Sequence, residues 1–233
     1  MIPIAIEEKV KNLKDIDSIF KLFEFLGYKE HLFDKSYKRG KTDFNLPKDI
    51  LPNIENVYSV FNIEKHLFCF AIEIKNISRP FLKAVSKSLL DSYIKVLLIF
   101  TNDWETYYFT LPQYEKHEGK RKLKLSTLIV DTKQIYRTDL EVISTLNITK
   151  EETYRDIWRN CWQQAFNKER VNDEFFKDFE KIFFELRTLV FNQIKDVKLA
   201  HEFAQQTLNR LIFLYFIAKK EWLASDKKFQ VFP

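Results

Sequence analysis

Two hydrophobic periods alternate along the first half of the chain, and one of them takes over the second half. Ile16, Ile19, Phe20, Leu22, Phe23 and Leu26 recur at helical spacing and stop at Gly27, a residue suited to the left-handed position that closes a helix. Residues 57–63 and 67–75 instead alternate with a period of two and are rich in β-branched and aromatic side chains, which predicts a hairpin. With Lys65 and His66 as its loop, Asn56 would oppose Lys75 and Tyr58 would oppose Glu73. Val57, Phe61 and Ile63 then share an apolar face with Phe68, Phe70, Ile72 and Ile74. Asn56, Tyr58, Asn62, Cys69, Glu73 and Lys75 occupy the other, polar face.

Pro80 starts the next helix in its first turn, where a missing N–H costs nothing. Its stripe is Phe81, Leu82, Val85, Leu89 and Leu90. Residues 96–100 are wholly apolar, as in the interior of a sheet; residues 105–111 form a further strand and 123–130 an edge strand. No proline occurs between Pro112 and Pro233, and from about Asp139 helical stripes dominate. Phe175, Phe179, Ile182, Phe183, Leu186, Val190 and Ile194 mark one helix; Ala200, Phe203, Ala204, Leu208, Leu211, Ile212 and Tyr215 mark its antiparallel partner. Residues 211–216 are apolar all round and call for a covering domain or partner. The expected fold is α/β, a mixed sheet flanked by helices over residues 1–136, followed by an all-α helical connector over 137–233.

Composition narrows the chemistry. Three glycines, Gly27, Gly40 and Gly119, are too few and too scattered for a phosphate-binding loop or a dinucleotide fingerprint. A net charge of +5 permits a polyanionic partner. Cys69 and Cys161 fit no zinc spacing and read as buried thiols in a reducing compartment. The start of the chain turns acidic too early for a secretory signal, and the apolar run 211–218 is too short to span a bilayer. A cytoplasmic protein with no membrane partner is expected.

Glu73-Ile74-Lys75 is the main candidate for catalysis. On a strand, residues two apart project from one face, so a carboxylate and an ammonium stand side by side. With a second acid they can hold a divalent metal and orient water at a phosphodiester. Two further triplets, Glu7/Lys9 and Glu118/Lys120, lie outside the strands that the pattern predicts. The non-functional reading of Glu73/Lys75 is a solvated charge pair on a half-exposed sheet. Two basic loops, one with Lys38, Arg39 and Lys41 and one with Lys120, Arg121 and Lys122, could lie along a phosphate backbone, or be ordinary solvated loops. Trp158 and Trp162, four residues apart, read as core packing, and Asn102-Asp103-Trp104 as a tight turn with an anchoring indole and no chemistry.

The succession of helix, hairpin ending in FAIEIKN, helix and strand resembles the PD-(D/E)XK nuclease fold. In that family a metal-binding Asp stands near the start of the preceding strand. Here that stretch reads LPNIENVYSV, and its nearest acid is Glu55. The segments LFEFLGY, VLLIFTNDWETYYF, IYRTDLEVISTLNI, VNDEFFKDFEKIFFEL and HEFAQQTLNRLIFLYFIAKKEWL resemble the region preceding the methyltransferase in type IIG-like restriction-modification enzymes. The Asn-Pro-Pro-aromatic methyltransferase signature is absent from the sequence. These resemblances imply an N-terminal nuclease-like part of such an enzyme, working on double-stranded DNA beside an adenine methyltransferase and a target-recognition module. They imply magnesium-dependent hydrolysis with Glu73 and Glu55 as metal ligands and Lys75 orienting water, and no other cofactor. A degenerate, non-catalytic nuclease fold that binds DNA or docks the methyltransferase is the alternative, and an interaction scaffold with no nucleic-acid role is a third.

Overall fold

A computed structural model describes residues 4–33, 38–40, 44, 46–117 and 120–219. Contacts divide the chain into two compact units, Met1–Asn167 and Lys168–Pro233.

The first unit is α/β. Its leading elements are α1 (Ile4–Lys11), α2 (Ile16–Phe23), β1 (Lys38–Arg39), β2 (Ile54–Ile63) and β3 (Leu67–Ile74). They are followed by α3 (Arg79–Ser92), β4 (Lys95–Thr101), β5 (Thr106–His117), β6 (Lys120–Asp131) and α4 (Arg137–Thr145). Short α5 (Tyr154–Asp156) and α6 (Gln163–Ala165) flank a wide π turn over Ile157–Trp162. Local chemistry starts the helices where the sequence predicts. Asp15 Oδ1 accepts the Ser18 N–H and Ser18 Oγ accepts the Asp15 N–H, a reciprocal cap on α2. Ser78 accepts the Phe81 N–H at the start of α3, next to Pro80.

The six strands lie in chain order, each antiparallel to the next except β3 and β4, which are parallel and joined through α3. Helices cover both faces of the sheet, so both carry apolar side chains. On one face Leu22, Phe23, Tyr28, Phe61, Leu97, Ile99 and Phe109 pack with α1, α2 and α4. On the other Val57, Phe70, Ile72, Leu98 and Phe100 pack against α3. Leu140, Ile143, Ile157 and Trp162 belong to the first of these cores, so residues 137–167, assigned to the connector by the sequence, pack with the sheet.

The β2–β3 register differs from the expected one. Glu64 and Lys65 both take left-handed φ, 51° and 57°, and His66 donates to Ile63 O at 2.9 Å, the geometry of a type I′ turn. A two-residue turn alone would pair Ile63 with His66; His66 is instead left out of the ladder, and Ile63 faces Leu67. The register then shifts between Ser59 and Phe61 and again between Ile54 and Asn56, so β2 carries two bulges, at Val60 and Glu55. Asn56 opposes Glu73, and Tyr58 opposes Ala71. The first bulge places Phe61 and Ile63 on the α1/α2 face with Cys69 and Ala71, away from Val57. The face expected to be polar is therefore packed with apolar side chains around Phe61, Ile63, Cys69 and Ala71.

After α2 the chain turns sharply through Gly27, at φ 94°. A Cβ there would lie 2.2 Å from the Ile148 carbonyl oxygen, and Ile148 N–H donates to Leu26 O at 2.9 Å. Next to this contact Tyr28 donates to Leu146 O at 2.9 Å and accepts from Trp162 Nε1 at 2.9 Å. Burial pushes the Tyr28 phenol and the Cys69 thiol well above their ordinary pKa values. The unfolded chain therefore ionises first. Stability from these groups is full below their unfolded pKa values, about 8.5 for the thiol and 10 for the phenol. Above them it falls by about 1.4 kcal/mol per pH unit for each group that stays protonated in the folded state. Urea denaturation at stepped alkaline pH is expected to show this loss, with a shallower slope in Tyr28→Phe.

The second unit is a pair of long helices, α7 (Lys168–Ile194) and α8 (Val197–Lys219). Lys195, at φ 56°, ends the first, and Asp196 Oδ1 accepts the N–H groups of Lys198 and Leu199 to cap the second. With so short a link the helices run antiparallel. Ala200, Ala204 and Leu208 form the buried seam. Much of the predicted stripe is open to solvent: Phe175 is 50% exposed, Phe203 55% and Leu211 56%. Among the described residues no helix is long and apolar enough to cross a membrane.

Candidate functional site

Glu73 is the penultimate residue of β3, between Asn56 of β2 and Thr101 of β4. It is half-buried, and both carboxylate oxygens are engaged. Asn56 Nδ2 donates to Oε2 at 2.5 Å, and Trp104 Nε1 donates to Oε1 at 2.9 Å. The register shift at Glu55 brings Asn56 opposite Glu73.

Trp104 is aimed by the turn that follows β4. Its φ is 58°, a conformation costly for a bulky residue and kept where surrounding bonds over-determine it. Those bonds are present: Trp104 N–H donates to Thr101 Oγ1 at 3.0 Å, and Tyr107 donates to Trp104 O at 3.0 Å. Asp103 Oδ1 accepts the N–H groups of Glu105 and Thr106 at 2.9 and 2.8 Å. The indole thus anchors the turn, and it also contacts Glu73. Burial first, and the Glu73 charge second, push the Tyr58 phenol upward.

Lys75 lies one residue beyond β3 and is exposed. Its N–H donates to Asn53 O at 2.9 Å, and its ammonium makes no ion pair with Glu73. Glu55 is exposed at the bulge. Asn53 and Asn76 are clamped together: Asn53 Nδ2 donates to Asn76 O at 2.7 Å, and Asn76 N–H returns to Asn53 Oδ1 at 2.9 Å.

Magnesium takes oxygen ligands, commonly one or two carboxylates with the substrate's phosphates. Here the Glu73 carboxylate meets N–H donors on both oxygens. Among the described residues no three His, Cys, Asp or Glu side chains form a group able to hold a metal. The donor set as arranged does not fit magnesium. It suits a structural role, a half-buried charge stabilised by two hydrogen bonds.

The basic candidates are spread out. Lys38 is exposed on β1, and Arg39 Nε donates to Ser59 Oγ at 3.1 Å. Lys41 lies outside the described residues. Lys120 starts β6, and Arg121 and Lys122 are exposed on the same strand. Trp162 is fully buried and Trp158 packs on it at 6.0 Å, both core residues as predicted. The sequence reading missed the contact of Trp104 with Glu73, which arises because β4 lies parallel beside β3.

No family model, curated protein or solved structure matches the chain.

Proposed function

We propose that this chain is a restriction-endonuclease-like module of a type IIG-like restriction-modification system, binding double-stranded DNA and docking the methyltransferase without cutting DNA itself. The reading rests on one observation: Asn56, a neutral amide, opposes Glu73 and with Trp104 occupies both of its carboxylate oxygens. The order of α2, the β2–β3 hairpin, α3 and a parallel β4 supports the nuclease-like ancestry. The DNA, the adenine methyltransferase and the target-recognition module come from the resemblance of the sequence. One feature favours the catalytic reading, in which Glu73 and Glu55 hold magnesium and Lys75 orients water: the bulge leaves Glu55 in solvent rather than in the core.

Incubation with duplex DNA and magnesium separates the two. The chain is expected to leave the DNA intact. Glu73→Ala is expected to destabilise the fold by about 1–3 kcal/mol through two lost hydrogen bonds, read by urea denaturation. Magnesium-dependent cleavage that disappears in Glu73→Ala while the variant stays folded would reverse this assignment.

A further inference from the structure

The long β5–β6 hairpin outruns its neighbour: β4 pairs with Tyr107–Thr110 only, and the remainder continues beyond the sheet. It reaches across α3, where Tyr114 donates to Asp91 Oδ1 at 3.4 Å and Leu125 packs on the α3 core. Between hairpin and helix lies a groove of about 670 Å³. Arg79 and Lys83 of α3 line one wall, and Lys122 and Lys124 of β6 line the other. Glu115 is the single acid lining it among the described residues and is already paired with Lys124 at 2.6 Å.

Among the described residues no carboxylate lies within ion-pair distance of Arg79, Lys83 or Lys122, whereas Lys11, Lys29, Lys133, Arg137 and Lys150 each have one. Lys87, also exposed, extends the α3 row to three cations at four-residue spacing. Like charges so placed disfavour a helix, and a bound anion would relieve their repulsion. The row spans about 12 Å by helical rise, the axial length of three to four phosphates on one strand of duplex DNA. That spread suits a polyanion better than a single phosphate. Among the described residues no aromatic ring lines the groove, so they offer nothing on which to stack the bases of a single strand.

The geometry points to this groove as the seat of a duplex DNA backbone, with Arg79, Lys83, Lys87 and Lys122 as phosphate contacts. The inference rests on the DNA-binding reading above and names its surface. Fluorescence anisotropy of a labelled duplex against the full chain, repeated over a range of salt, tests it. In the triple variant Arg79→Gln, Lys83→Gln, Lys87→Gln the slope of log K against log salt is expected to fall in magnitude by about 2–3, with weaker binding at low salt. The variant removes helix repulsion and should melt no lower than the parent chain, which separates lost contacts from lost fold. Lys122→Gln alone should lower the slope by about 1. An unchanged slope in both variants overturns the groove assignment and leaves the DNA-binding reading standing. No duplex binding by the parent chain, or binding to phosphatidylserine vesicles in its place, overturns both.

Discussion

Gly27→Ala is expected to destabilise the first unit by about 2–5 kcal/mol, combining the cost of a left-handed non-glycine residue with that of forcing packed backbone apart. The added methyl would meet the Ile148 carbonyl oxygen at 2.2 Å, and that carbonyl belongs to a backbone segment already tied to Leu26. Neither side can rotate away as a flexible side chain would. Urea denaturation followed by tryptophan fluorescence should show a lower midpoint with an unchanged slope. A shift of a few tenths of a kcal/mol would mean that this turn yields more readily than its hydrogen bonds imply.

Trp162→Ala should cost about 3–5 kcal/mol, the range for deleting a large aromatic from a packed core. The side chain is fully buried, packs on Phe61 at 6.0 Å and donates to the Tyr28 hydroxyl. Trp162→Phe retains most of the volume and loses the donor, so its smaller loss, about 1–2 kcal/mol, isolates the hydrogen bond and residual misfit. The same denaturation assay ranks the two. Equal losses would place the whole effect in the polar contact. Gly27 and Trp162 both act on the Tyr28 turn, so their losses should not add.

Element types were largely legible in the sequence because their signals are local. Pro80 marks the start of α3, the apolar run at 96–100 marks the central β4, and Gly27 marks the turn after α2. The hairpin register was not legible. Its turn uses Glu64 and Lys65 where asparagine and glycine would have signalled left-handed geometry, and neither bulge contains a glycine. Each bulge changes which residue opposes which, so the partner of Glu73 could not be read from loop length. The bond from Trp104 depends on which strand lies next to β3, a tertiary choice. The spacing of Arg79, Lys83 and Lys87 is plain in the sequence; what only the fold supplies is the hairpin that brings Lys122 opposite them.

β6 closes one side of the sheet, and among the described residues no strand pairs with its outer margin. An unpaired margin of this length is a template on which another polypeptide can zip by backbone hydrogen bonding. Arg121, Lys122 and Lys124 guard its first half by electrostatic repulsion, while Leu125, Ser126, Thr127, Leu128, Ile129 and Val130 have no charge to do so. Ile129, 55% exposed, is the most open point of that unguarded stretch. Neutralising the strand's cations would therefore exchange solubility for aggregation, a cost that substitutions confined to α3 avoid.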